Sequence, residues 1–278
     1  TVTVSNSITQ IGYLNLGSSN FCYSGSAAPS IRSSRFNPGT STFYYNSTSN
    51  AQSVTALTYY DLKINNNGAF QIPLGSTTTY SANALNCHNL DLTEGNSVSS
   101  GFTYLNMQLT ASGNITIGNN CYLSAYDQVG FLFGNDYPIY LAGDWTNNLN
   151  YDNGSGATSL FTSNARTVIL NGTGVQTIGG LSPTNFYNLT FNKDSGSVAL
   201  SNSITVQNRL DIGSSVMALG TSTLTLSCAG IYTTGAIARS TGYITSEDNQ
   251  VRANISWNIN NNMGSYEYPY GYGGTYIP

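Results

Sequence analysis

The chain has 278 residues, enough for one large elongated domain or two ordinary ones. Only 7% are charged, against roughly 25% in an average globular protein, and Lys plus Arg at 8 against Asp plus Glu at 12 leaves a net charge of −4. There is no basic footprint for nucleic acid, too much apolar content (40%) for a disordered acidic chain, and no apolar run near the ~18 residues of a membrane helix.

The residue choice points to all-β structure. Asn occurs 35 times and Gly 29 times, while Lys occurs twice, at Lys63 and Lys193. A helical protein would use Ala, Leu, Glu and Lys freely. Period-2 alternation of apolar and polar residues predicts short strands at Thr42–Tyr45, Tyr59–Ile64, Ala69–Ile72, Asn89–Leu92, Tyr104–Leu109 and Asn114–Ile117. The pattern continues at Tyr137–Leu141, Thr167–Leu170, Phe186–Phe191, Ser197–Leu200, Ile204–Val206, Arg209–Ile212 and Ser222–Leu226. Asn/Gly/Ser turns separate these runs, with a strand about every 8–12 residues, as in a sandwich, a barrel or a solenoid.

Internal repetition separates those three. Thr42-Phe-Tyr-Tyr-Asn-Ser-Thr48 parallels Thr167-Val-Ile-Leu-Asn-Gly-Thr173. Gln52-Ser-Val54 parallels Gln176-Thr-Ile178, and Tyr60-Asp-Leu-Lys-Ile-Asn65 parallels Tyr187-Asn-Leu-Thr-Phe-Asn192. The offsets, 125, 124 and 127, define a unit of about 126 residues. Strands this short cannot bury a face alone, whereas stacked turns of a coil give each strand two neighbours and one continuous core. The expectation is a right-handed parallel β-helix over residues 1–230, with rungs of roughly 20–30 residues and Asn and Ser/Thr stacked in hydrogen-bonded ladders at its turns. A pair of β-sandwiches is the alternative. After about Ile231 the texture changes, and residues 231–278 read as a C-terminal cap or the start of a further β-domain. The opening Thr1-Val-Thr-Val-Ser5 is strand-like rather than a signal peptide, and the ending Gly273-Gly-Thr-Tyr-Ile-Pro278 stops in mid-phrase, so the chain reads as the mature or visible part of something longer.

Several phrases resemble a known family. They are Gly143-Asp-Trp-Thr-Asn147, Thr167 through Gly180, Phe186 through Asn192 and Ile204-Thr-Val206, then a tail from Gly242 through Ile259 and Gly264 to Pro278. Together they resemble the repeats, and the segment after the repeats, of large secreted and cell-surface proteins of gliding-type bacteria that use the type IX secretion system. The resemblance covers residues 105–278 well and 37–96 loosely. It implies a β-helical, adhesin-like or structural protein at the bacterial surface. Tyr44 and Tyr45 depart from the pattern, which has aliphatics there.

Chemistry-bearing residues are sparse. His88 is the sole histidine, and its neighbour Cys87 would point to the opposite side of a strand, so a Cys-His pair does not form along the chain. Glycoside hydrolysis needs two carboxylates about 5–10 Å apart, but Asp61, Asp91, Glu94, Asp127, Asp136, Asp144, Asp152, Asp194 and Asp211 are scattered, and Lys63 has no acidic cluster near it in sequence. The Gly/Asn-rich stretch holding Asp144, Asp152 and Asn153 offers oxygen ligands, yet matches no calcium-loop spacing and reads as a polar turn. No catalytic residue, metal or cofactor is expected. Cys22, Cys87, Cys121 and Cys228 match no zinc spacing; they form two disulfides in one of three pairings, or four small buried hydrophobes.

Tyrosines are the densest functional candidates, at Tyr44-Tyr45, Tyr59-Tyr60 and in the tail. The alternation of Tyr266, Tyr268, Tyr270 and Tyr272 puts four aromatic rings on one face, which calls for cover by further chain or by a partner. The reading is a non-enzymatic extracellular stalk or display segment of a bacterial surface protein. Two alternatives stand beside it: a self-assembling filament or sheath subunit, and a carbohydrate-binding or carbohydrate-cleaving β-helix. The expected partners are the rest of a longer polypeptide, copies of itself, or cell-surface glycans, with no nucleic acid and no membrane insertion.

Overall fold

The computed structural model describes the whole chain except residues 6, 10–11, 26, 47–50, 67–76, 83–84, 95–104, 112, 126–128, 135–136, 150–160, 163–164, 228–235, 247–252, 260–265 and 278. Among the described residues it is all-β, with one 3-10 turn at Ser33–Arg35. Every strand pairing described is parallel except the short hairpin of Gly271–Tyr272 with Thr275–Tyr276. Parallel neighbours cannot be joined by a tight turn, so each connection must make a circuit before it returns.

The circuits run over three faces. On face 1, Val2–Val4 pairs with Asn20–Tyr23, which pairs with Thr42–Asn46. The column continues through residues 61–66, 89–94, 121–125 and 145–149, then 176–179, 197–200, 216–218 and 243–245. Face 2 stacks residues 58–59, 85–87, 115–117, 139–141, 167–170, 188–191, 209–211 and 236–238. Face 3 stacks residues 51–54, 77–82, 105–111, 129–134 and 161–162 as a five-stranded sheet, and then 184–186, 204–206, 223–226 and 254–257. This is a solenoid-like parallel architecture. Circuit length varies: the chain makes a short loop from Phe43 to its stacking neighbour Leu62, and a much longer one from Trp145 to Ile178.

Alternation builds the core. Phe21, Phe43, Leu62, Leu90, Cys121, Trp145 and Ile178 stack inward on face 1. Tyr59, Cys87, Ile117, Leu141, Leu170 and Phe191 do the same on face 2. Each such side chain contributes roughly 1.5–3 kcal/mol relative to exposure. The tyrosines that depart from the aliphatic pattern divide by face, as alternation requires: Tyr45 is buried and Tyr44 half-exposed. Tyr45 and Tyr59 share a 2.8 Å hydroxyl hydrogen bond, and Tyr59 donates to the Thr55 carbonyl at 2.7 Å, so the buried hydroxyls are satisfied. Burial pushes the Tyr59 phenol well above its ordinary range.

The repeated phrase has a structural meaning that spacing alone did not contain. The first copy runs from face 1 (residues 42–46) to face 3 (51–54), then to faces 2 and 1 (58–66). The second runs from face 2 (167–170) to face 1 (176–179), then to faces 3 and 2 (184–191). The second copy is the first displaced by one face. Local devices are nevertheless shared. The buried Gln52 donates to the carbonyls of Tyr23 (3.0 Å) and Gly25 (2.8 Å) on the preceding circuit, and the buried Gln176 donates to Leu141 (2.9 Å) and Gly143 (2.6 Å). Tyr60 and Tyr187 both sit at the bend where one strand passes from face to face, and at Tyr187 the ladder register shifts. Asn ladders follow both bends. Asn89 donates to Asp61 (2.7 Å) and receives from Asn119 (3.0 Å), and Asn188 donates to Thr167 (3.3 Å) and receives from Asn208 (2.8 Å).

The stacking does not stop where the sequence texture changes. Residues 236–238, 243–245 and 254–257 extend all three faces by parallel pairing. The change of composition reflects more exposed positions on these strands, not a different mode of pairing. Among the described residues, antiparallel pairing is found at the Gly271–Tyr276 hairpin. The strand expected at Ala69–Ile72 lies outside the described residues.

Candidate functional site

Alternation on face 1 sends every second side chain outward, and register sets those residues in rows. Tyr44 pairs with Lys63, Lys63 with Asp91, and Asp91 with Tyr122. One position toward the bend, Thr42 pairs with Asp61 and Asp61 with Asn89. These seven residues, with Leu62, line one shallow depression of about 210 Å³. Lys63 Nζ sits 3.0 Å from Asp91 Oδ2, with the two side chains 26% and 31% exposed. Stacking therefore gives Lys63 a carboxylate partner from the next circuit that its own sequence neighbourhood lacks.

The walls of the depression are fixed. Asn89 Nδ2 donates to Asp61 Oδ1, and Asn89 Oδ1 accepts from Asn119 Nδ2 and from the Asn120 backbone N–H at 3.1 Å. Asn120 Nδ2 donates to the Tyr122 hydroxyl at 2.8 Å, and Asn120 Oδ1 accepts from the Asp144 N–H at 2.8 Å. Asp144 Oδ1 in turn accepts from the Thr177 N–H at 2.7 Å. One polar ladder thus ties five successive circuits together along the edge of the site. Beside it the rings of Tyr60 and His88 stack at 4.5 Å and 15°. His88 Nδ1 lies 3.9 Å from Asp61 Oδ1 and within hydrogen-bond distance of Asn89 Nδ2 (3.2 Å). The arrangement offers carboxylate acceptors, ammonium donors and aromatic edges on a rigid sheet.

The remaining candidates are placed as follows. Cys87 is buried and His88 points outward, so they form no pair; burial raises the Cys87 thiol to about 12 and holds the Cys121 thiol well above its ordinary range. Cys22 is half-exposed, and all three described cysteines are free thiols; Cys228 lies outside the described residues. Asp144 is a ladder residue, while Asp152 and Asn153 lie outside the described residues. Among the described residues no three His, Cys, Asp or Glu side chains converge as metal ligands, and no helix is long and apolar enough to cross a membrane.

The tail folds back on the last circuit. Ile244 bridges Tyr270 in parallel and donates its N–H to the Pro269 carbonyl at 2.6 Å. Tyr266 and Tyr268 both meet the Trp257 ring edge-on at 5.3 Å, and Tyr268 stacks on Tyr270 at 6.3 Å and 11°. Part of the cover that the tyrosine face calls for therefore comes from Trp257 of the same chain. Tyr268 and Tyr270 each keep 38% exposure and Tyr272 63%. Arg239 clasps this tail: its guanidinium lies 3.6 Å over the Tyr276 ring and 3.2 Å from Glu267, which also accepts from the Tyr276 hydroxyl.

The sequence did not single out the row Tyr44, Lys63, Asp91, Tyr122 as one site. A usable signal exists in Phe43-Tyr-Tyr45, Leu62-Lys-Ile64, Leu90-Asp-Leu92 and Cys121-Tyr-Leu123, each an outward residue between two buried ones. Aligning those triplets stacks the row. No family model matches the chain, and comparison with curated proteins and with solved structures finds no similar protein.

Proposed function

We propose that this chain is a non-enzymatic structural segment of a bacterial surface protein: a right-handed parallel β-helix, finished by a tail cap, that acts as an extracellular stalk or display element. The supporting observation is the run of parallel pairings on face 1 from Val2 to Thr245, one circuit bonded to the next. Backbone hydrogen bonds then lie along the coil axis, and extension along that axis loads many of them together. Low charge is compatible with dense glycan or protein surroundings, since little repulsion opposes close packing. The resemblance to surface proteins exported by type IX secretion supports the adhesin-like setting. A filament subunit is the second reading, favoured by the exposed Tyr268, Tyr270 and Tyr272 at one end of the coil.

Negative-stain microscopy with light scattering over a range of concentrations tests both. Short monodisperse rods at every concentration are expected for a stalk. Fibres that lengthen with concentration would overturn it in favour of the filament, and compact particles would overturn both.

A further inference from the structure

We propose that the depression on face 1 binds a neutral oligosaccharide, with sugar rings against Tyr44 and Tyr122 and hydroxyls on Asp61, Asp91 and Lys63. Tyr44 and Tyr122 stand at the two ends of one outward row, three pairing steps apart. At the ~4.8 Å spacing of neighbouring strands this is ~14 Å, long enough for a short oligosaccharide to touch both. Aromatic rings present an apolar face to the C–H face of a pyranose, while their surroundings remain wet. Between them lie groups suited to vicinal hydroxyls. A carboxylate offers about four acceptor positions and an ammonium three donors, more than the Lys63–Asp91 contact uses.

Three features select this ligand class. The lining holds Asp61, Asp91 and Lys63, so its formal charge is −1; an anionic sugar meets repulsion and a neutral one does not. The centre of the row is polar, which does not suit an apolar protein patch. The depression, at about 210 Å³, is smaller than the ~300–1,000 Å³ of a cavity that engulfs its ligand, so an extended chain lies across it with one side in solvent. The site is also held ready before binding, because the Asn89–Asn120–Asp144 ladder fixes its edge and Asn120 holds the Tyr122 hydroxyl. Pre-organisation lowers the ordering cost of association.

Calorimetric and NMR titrations with cellohexaose, mannohexaose, xylohexaose and maltohexaose, each to about 10 mM, with hexagalacturonate as the charged comparison, test the proposal. At least one neutral hexasaccharide is expected to bind, and hexagalacturonate to bind at least about tenfold more weakly. Tyr122→Ala, at an exposed ring, is expected to weaken binding at least about tenfold with an unchanged far-UV spectrum, and Tyr137→Ala, exposed outside the depression, to leave it unchanged. No binding by any neutral sugar, tighter binding of hexagalacturonate, or an undiminished affinity in Tyr122→Ala would each overturn the assignment. None of these results bears on whether the particle is a rod, so the stalk reading stands or falls separately.

Discussion

Replacing Gln176 by Ala removes a corner brace whose cost can be worked from its contacts. The side chain is 2% exposed. Its amide nitrogen donates to the Leu141 and Gly143 carbonyls, and its oxygen accepts from the Gly172 N–H at 2.8 Å and from Lys193 Nζ at 2.7 Å. Three backbone groups of two circuits thus bond to one side chain, of which the Leu141 carbonyl also accepts from the Asn171 N–H at 2.9 Å. A typical hydrogen bond contributes about 1 kcal/mol net, while a buried group left without its partner costs about 1–3 kcal/mol, so Gln176→Ala is expected to destabilise by about 3–5 kcal/mol. Gln176→Met keeps most of the volume and loses the same bonds, so it separates hydrogen bonding from packing. Urea unfolding followed by far-UV circular dichroism measures both variants. Losses below about 1 kcal/mol in both would refute the brace. A loss in Ala but not in Met would reduce it to cavity formation.

Three further outcomes are expected. Gly180 has φ of 115°, and a Cβ there would stand 2.2 Å from the Asn147 carbonyl oxygen, so Gly180→Ala is expected to lower stability by at least about 2 kcal/mol in the same urea assay; a change under about 0.5 kcal/mol contradicts the close approach. Native-state alkylation followed by mass spectrometry is expected to label the half-exposed Cys22 well before the buried Cys87 and Cys121, and equal rates would show that these two thiols reach solvent. The hydrogen bond from Tyr276 and the Arg239 guanidinium hold the Glu267 carboxyl below its ordinary range; a folded-state value lower than the unfolded one stabilises fully above the ordinary range near ~4.3 and is lost as pH falls through the lower folded value. Trp257 fluorescence is therefore expected to change on acidification below pH ~4, with no such change in Glu267→Gln, and a flat signal in the native chain would contradict the clasp.

Much of the architecture was legible because alternation and repetition are local signals. Phe43-Tyr-Tyr45 and Thr167-Val-Ile-Leu170 announce strands with one buried side, and all the short strands placed within the described residues are found, within a few residues at their ends. The recurrence of Gln52 and Gln176 was visible as a repeated phrase, and its cause is a shared hydrogen-bonded corner. What the spacing did not reveal is the displacement of the second copy by one face. Circuits differ in length, short between Phe43 and Leu62 and long between Trp145 and Ile178, so a constant offset in sequence does not return to the same face. The candidate site was hidden for the same reason. Lys63 and Asp91 sit on different circuits, remote in sequence, and touch only because Leu62 lies over Leu90, a register fixed by loop lengths that composition does not report. The aromatic density of the tail is plain in the sequence, but its partial cover by Trp257 follows from the last strand on face 3 returning beside it.

The most direct test of the account is a distance along the coil. Thr3 and Thr146 lie in distant parts of the sequence, yet six pairings connect them on face 1, through Cys22, Tyr44, Lys63, Asp91 and Tyr122. At ~4.8 Å per strand the backbone separation is ~29 Å. Spin labels on Thr3→Cys and Thr146→Cys, with the native cysteines replaced, measured by double electron–electron resonance, should give one narrow distribution centred near ~30 Å. A distribution beyond ~45 Å, or one too broad to define a distance, would contradict the continuous parallel stack on which the stalk and sugar-binding proposals both rest.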